Sequence, residues 1–159
     1  DRSEQSETAT EPPGLSHEDL HSIVHHPIAG QNMGIVADLM HPTDSRYIDP
    51  LFGELEGQAA IRRWLLDVMP KVGAMRFDPV GPTLFNGRAS VQEWVQTALL
   101  PDGSTVPLVR GTSVRRFADG WIVYAADYFD TAPLADPQMQ QAARAAGSTL
   151  AAADIERYR

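Results

Sequence analysis

Cysteine is absent from the 159 residues. That excludes a disulfide framework, a thiolate nucleophile and a zinc-thiolate centre together. Cationic side chains are scarce: 13 Lys and Arg stand against 21 Asp and Glu, a formal net charge of -8. A phosphate backbone is gripped by clustered Lys and Arg, so no nucleic-acid partner is expected, and no anionic membrane surface either. No apolar run approaches the ~18 residues of a membrane span. No basic segment followed by an apolar run opens the chain, so no signal peptide is read there, and a soluble cytoplasmic protein is the expectation. No Gly-rich phosphate loop and no internal repeat appear.

What is present is a globular composition, 43% hydrophobic and 21% charged. A chain of this length buries roughly 70% of its unfolded surface, enough for a core and one internal pocket. Residues 1–14 are polar, carry Pro12-Pro13 and are expected to be a disordered tail. A domain over 15–135 and a C-terminal helical extension over 136–159 should follow. Ser16 reads as an N-cap, with Leu20, Ile23 and Val24 as the stripe of a helix that Pro27 and Gly30 disturb. Met33 to Met40 is a second helix, with Ile35, Val36, Leu39 and Met40 inward. Arg46 to Asp49 is a short strand ended by Pro50, and Gly53 and Gly57 punctuate the loop after it. Gln58 to Met69 is the clearest helix, with Ala60, Ile61, Trp64, Leu65 and Val68 at three- and four-residue spacing.

After Pro70 the period switches to two. Strands are expected near Ala74–Val80, Ala89–Leu100, Thr105–Phe117 and Trp121–Phe129, with Asp102-Gly103 and Asp119-Gly120 as hairpin turns. A last helix begins near Pro137 and runs through Ala142–Ala146 to a stop at Gly147. The order is α+β: helices segregated from a curved antiparallel sheet. Long curled strands closed by helices at one end make a cone with an apolar hollow, where small ligands bind.

Two acidic residues are candidates for chemistry. Asp49 ends a strand among Tyr, Ile, Leu and Phe, where a carboxyl has a raised pKa and can exchange a proton near neutrality; it could also simply cap the turn before Pro50. Asp127 lies within a strand, on the face shared by Val123, Ala125 and Phe129, where a carboxylate is costly unless paired or used. His17, His21 and His25 share a helical face by their four-residue spacing, without the acidic partner of a zinc motif, so no metal is assigned and His25 is a candidate acid/base group at the pocket mouth. Arg115 and Arg116 are expected on the outer sheet face or at a dimer interface, while Arg110 could reach the pocket.

Two segments carry a likeness: Tyr47 to Leu65, YIDPLFGELEGQAAIRRWL, and Val114 to Leu134, VRRFADGWIVYAADYFDTAPL. Together they resemble the NTF2-like superfamily, whose enzymes include SnoaL-type polyketide cyclases, limonene epoxide hydrolases, ketosteroid isomerases and scytalone dehydratase. The resemblance implies an NTF2-like cone. It places Tyr47 and Asp49 where the epoxide hydrolases hold the attacking water, and Asp49 on the isomerases' general base. It places Asp127 on the acid/base Asp of the cyclases. The hydrolases' Arg-x-Asp falls on Trp94 and Gln96 or on Glu93 and Val95, depending on register, and neither restores it. The isomerases' oxyanion-hole Tyr falls on His25 and their protonated Asp on Ser113.

The expected activity is cofactor-free acid/base chemistry on an apolar polyketide- or terpenoid-like molecule, cyclising it or opening its epoxide. Asp127 and Asp49 would trade the proton while Tyr47 holds the oxygen. Trp94, Gln96, His25, Trp64 and Phe129 would bind substrate. An isomerase or dehydratase, a non-catalytic binding protein and an adaptor of the nuclear-transport type are the alternatives. A homodimer is expected, because the outer sheet face must be covered.

Overall fold

A computed structural model describes residues 11–25 and 33–158. Most of the expected tail, residues 1–10, and the expected helix disturbance at Pro27 and Gly30 lie outside the described residues. Helix α1 spans His17–Val24 and starts as its sequence dictates. The Ser16 hydroxyl accepts from the Asp19 amide while the Asp19 carboxylate accepts from the Ser16 amide, a reciprocal cap. Helix α2, Met33–Leu39, turns Ala37 and Leu39 into the core. Ile35, expected inward, is 53% exposed. Only seven residues are helical there, so the buried stripe is narrower than the apolar pattern suggested.

Strand β1, Arg46–Asp49, turns back into β2, Gly53–Glu56. That second strand was expected to be a loop because its two glycines bound a short polar segment. Helix α3, Gln58–Asp67, buries Ile61, Trp64 and Leu65, and a 3-10 turn over Met69–Val72 carries the chain to the sheet. Then come β3 (Met75–Pro79), β4 (Leu84–Phe85), β5 (Ala89–Leu99), β6 (Thr105–Ala118) and β7 (Trp121–Phe129). Asp119 and Gly120 both take positive φ, 51° and 80°, the pair a two-residue hairpin turn needs to match strand twist. Helices α4 (Pro137–Ala145) and α5 (Ala152–Glu156) close the chain.

The sheet runs β2-β1-β7-β6-β5-β3, with β4 on β5. The long strands pair antiparallel as expected, and the short β1 joins β7 in parallel. Early and late segments meet there, and Tyr47 stands opposite Ala125. The inner face carries two apolar clusters. One joins α1, α2 and α3 to β1, β2 and β7 around Trp64, Phe52 and Ile122. The other joins β3, β5 and β6 to α4 around Trp94, Met75 and Leu108. The cavity described below is lined by residues of both. No described helix is long and apolar enough to cross a membrane.

Trp94 pairs with Gly111 across β5 and β6. A Cβ on Gly111 would sit 2.5 Å from Trp94 Cη2 and 2.8 Å from the Tyr128 carbonyl oxygen, so the indole lies flat where a side chain would stand. Gly111→Ala should therefore destabilise the fold by about 1–3 kcal/mol through overpacking, read as a lower urea midpoint with an unchanged slope. A wild-type midpoint would show that the indole is free to swing away.

Candidate functional site

Asp49 and Asp127 reach one cavity of about 220 Å³, with Tyr47, Trp94, Gln96, His25 and Phe129 also in its lining. Asp49 arrives on the last residue of β1, just before the hairpin. Its Oδ1 accepts from the Leu51 amide at 2.8 Å and the Phe52 amide at 3.3 Å. The turn-capping use of an Asp before Pro50 is thus real, but it occupies one oxygen. No described residue is hydrogen-bonded to Oδ2. Burial, and the charge of Asp127, push the Asp49 carboxyl up to about 6, while the two amides pull the other way.

Asp127 has the opposite surroundings. Tyr47 Oη donates to its Oδ2 at 2.8 Å, and Ser113 Oγ and Arg115 Nη2 donate to its Oδ1 at 2.7 and 3.0 Å. Trp94 Nε1 donates to Ser113 Oγ at 2.8 Å, which places the indole in the same chain of bonds. The register Ser113 to Asp127 across β6 and β7 sets these groups side by side. Burial, and then the Asp127 charge, push the Tyr47 hydroxyl well above its ordinary value, so it stays a donor. Burial opposes the Arg115 charge, but Asp127 and Tyr47 outweigh it and hold the guanidinium above its ordinary value.

Arg115 corrects the expectation of an outer-face residue. Adjacent residues of a strand point to opposite faces, so Arg115 and Arg116 cannot both face out. Arg116 faces out, its guanidinium 4.5 Å from the Tyr124 ring centre, and Arg115 is 6% exposed inside. Its Nη1 donates to the Val114 and Ala126 carbonyls and its Nη2 to Tyr47 and Asp127, so it is a bracket with both terminal nitrogens engaged. Arg110, expected to be within reach of the pocket, instead faces Glu93 at 3.9 Å on the exposed side. That register answers the question left open on β5: Gln92, Trp94 and Gln96 face the cavity, and Glu93 does not.

Trp64 does not line the cavity, which corrects its placement among the substrate-binding residues. Its ring is fully buried behind Tyr47 and Phe52, at 4.8 and 5.4 Å between ring centres, so it supports the wall. Of the three histidines, His17 and His21 lie on α1 and His25 is its C-cap, and the His21 and His25 rings meet edge to face at 5.3 Å. His17 Nε2 accepts from the Gly120 amide, which leaves Nδ1–H to donate to the Gly87 carbonyl at 2.7 Å. His21 stacks on Phe85 with ring centres 4.6 Å apart. His25 Nε2 lies 2.7 Å from Ser90 Oγ. Burial, with Arg115 and His21 acting in the same sense against Asp127, pushes His25 down to about 3. It is neutral near pH 7 and cannot store a proton there. Among the described residues, no group of three or more His, Asp or Glu could hold a metal.

A family model for the SnoaL-like domain matches residues 19–125, and the chain belongs to that family. Structures of the same fold agree with the NTF2-like cone. A candidate isomerase of the SnoaL-like family from Agrobacterium tumefaciens is 23% identical, covering 72% of this chain and 97% of its own, with a TM-score of 0.53. A candidate SnoaL-like polyketide cyclase from Jannaschia sp. CCS1 is 15% identical, covering 81% and 100%, with a TM-score of 0.55. TerC, co-crystallised with polyporic acid, is 21% identical, covering 72% and 94%, with a TM-score of 0.53. No curated protein matches the sequence.

The raised Asp49 carboxyl costs stability. Its protonated form is favoured by the fold, so its stabilising contribution is complete below about pH 4 and is lost as pH rises through about 6. The loss is on the order of 3 kcal/mol. Asp49→Asn keeps the amide-accepting oxygen without the charge. It should melt higher than wild type at pH 7.5 and equally at pH 4, read by thermal unfolding at both. A lower melting point at pH 7.5 would mean that the charge is stabilising.

Proposed function

We propose that the protein is a cofactor-free acid/base enzyme that removes and returns a proton next to the carbonyl of an apolar, oxygenated small molecule, so as to cyclise or isomerise it. The observation that carries this reading is Asp49: a buried carboxyl at about 6 with Oδ2 unused among the described residues, in a cavity walled by apolar and aromatic side chains. A base poised near the working pH gives the best compromise between being unprotonated and being strong enough to take the proton.

In this mechanism Asp49 Oδ2 takes the proton from carbon, and the C–H electron pair moves into the carbonyl to give an enolate. For isomerisation, Asp49 returns the proton to a different carbon. For cyclisation, the enolate carbon attacks a second carbonyl of the same molecule, and the new alkoxide takes the proton back from Asp49. Asp127 and Tyr47, fixed by Arg115 and Ser113, orient a hydroxyl of the substrate, which donates to them. Trp94 and Phe129 supply apolar wall, and Gln96 an amide. Holding substrate and base in one dry cavity supplies much of the rate. The names of two fold relatives, a candidate isomerase and a candidate cyclase, agree with this chemistry, as does a third crystallised with polyporic acid.

A second reading, the opening of an epoxide by water, is favoured by the 2.8 Å contact of Tyr47 with Asp127, a pair able to hold a water molecule. Its mark would be incorporation of solvent oxygen-18 into a diol.

Exchange of the α-protons of 2-tetralone and related enolisable ketones in heavy water, followed by NMR, tests the first reading. Wild-type protein should accelerate exchange, with a rate that rises through about pH 6 and levels above it, because the base works when unprotonated. Asp49→Asn should lose about a hundredfold or more. Ketone binding without exchange, or exchange unchanged in Asp49→Asn, would remove Asp49 from the chemistry and leave a binding protein.

A further inference from the structure

The family match ends at residue 125, and the Agrobacterium relative, covered almost whole, leaves much of this chain unmatched. Yet Leu134, Ala143, Ser148 and Leu150 line the cavity. They belong to the segment after β7, which bridges the two apolar clusters. Met139, Ala142 and Ala143 of α4, with its C-cap Ala146, pack with Trp94, Met75 and Leu108. Further on, Leu150, Ile155 and Tyr158 pack with the cluster around Trp64 and Phe52. The cavity is lined by residues of both clusters, and this strap supplies part of that lining.

The strap is fastened at one place, the 3-10 turn after α3. The Lys71 carbonyl accepts from the Thr149 amide at 2.8 Å, the Leu150 amide at 3.1 Å and Ser148 Oγ at 3.2 Å. Its ammonium holds Asp154 at 2.6 Å. The Ala74 amide donates to the Ala146 carbonyl at 2.8 Å. Gly73, at φ 102°, lets the two backbones touch: a Cβ there would sit 2.9 Å from the Ser148 nitrogen and 3.0 Å from the Ala146 oxygen. Main chain packed this closely fixes position, where a loop held by side chains alone would drift.

We propose that this C-terminal strap is the end wall of the ligand site, and that Ala143 and Leu150 set the greatest length of ligand the cavity accepts. The inference deepens the proposed function by defining its substrate class as neutral apolar carbonyl compounds below a fixed length. It rests on that reading only for the choice of ligand, since it needs binding and no turnover.

Calorimetric titration of the full chain with 2-alkanones from six to fourteen carbons tests it. Wild-type affinity should rise about fourfold per added methylene until the wall is met, then fall by about tenfold for the next. Ala143→Phe should move that break to a shorter ketone, and Leu150→Ala should move it to a longer one, which keeps the test open if the larger residue prevents folding. Ala145→Phe, on the exposed side of α4, should leave the break where it is. A break unmoved in a folded Ala143→Phe or Leu150→Ala variant, or no binding of any ketone to wild type, overturns the proposal. A wild-type break at a defined length without α-proton exchange keeps the end wall and removes the catalysis.

Discussion

A carboxylate inside an apolar cavity must be neutralised or it destabilises the fold, and Asp127 meets that demand with a guanidinium, a phenol and a hydroxyl at once. Breaking such a buried pair by removing one partner costs about 3–5 kcal/mol, because the other charge is left without compensation. The rest of the site follows from that bracket. Tyr47 is turned toward Asp127 rather than lying as plain core, and Trp94 is aimed through Ser113. Arg115 also ties the carbonyls of Val114 and Ala126, so the bracket is anchored in the backbone of both strands that carry it. The charge of Asp127 is in turn one of the two causes that lift Asp49.

Two carboxyls in one cavity are thereby made unlike. One is surrounded by donors and the other is held mainly through one oxygen, and such separation is how a single pocket obtains distinct acid and base partners. Function and stability oppose each other at Asp49, where the group best placed to move a proton is one that the fold would rather keep uncharged.

The sequence foretold the architecture wherever periodicity was strong. Long strands alternating at period two and the stripe of α3 leave little freedom, and both appear within a residue or two of their expected ends. The pairing of Asp49 with Asp127 in one hollow was legible because both are carboxyls in apolar surroundings. Arg115 was missed although the signal was present: it shares strand parity with Ser113 and Phe117, and the parity of a strand is worth more than the usual exposure of arginine. Strand β2 was missed because only Glu54, Leu55 and Glu56 lie between the glycines, and one apolar residue between two acids is too short an alternation to read. Trp64 was misplaced because a helix stripe says that a side chain faces inward but not how deep it lies, and two aromatic rings stand in front of it.

The seam between β1 and β7 has a consequence for how the molecule is made. Tyr47 and Asp127 are 80 residues apart in the chain and meet only across that parallel contact. A ribosome emits residues in order, so Asp49 leaves it long before Asp127 does. No partial product holds both carboxyls, and the cavity cannot be complete before synthesis is nearly over. A closure between segments this far apart in the chain is a slow kind of step, so the cavity takes its form only when most of the domain has been made.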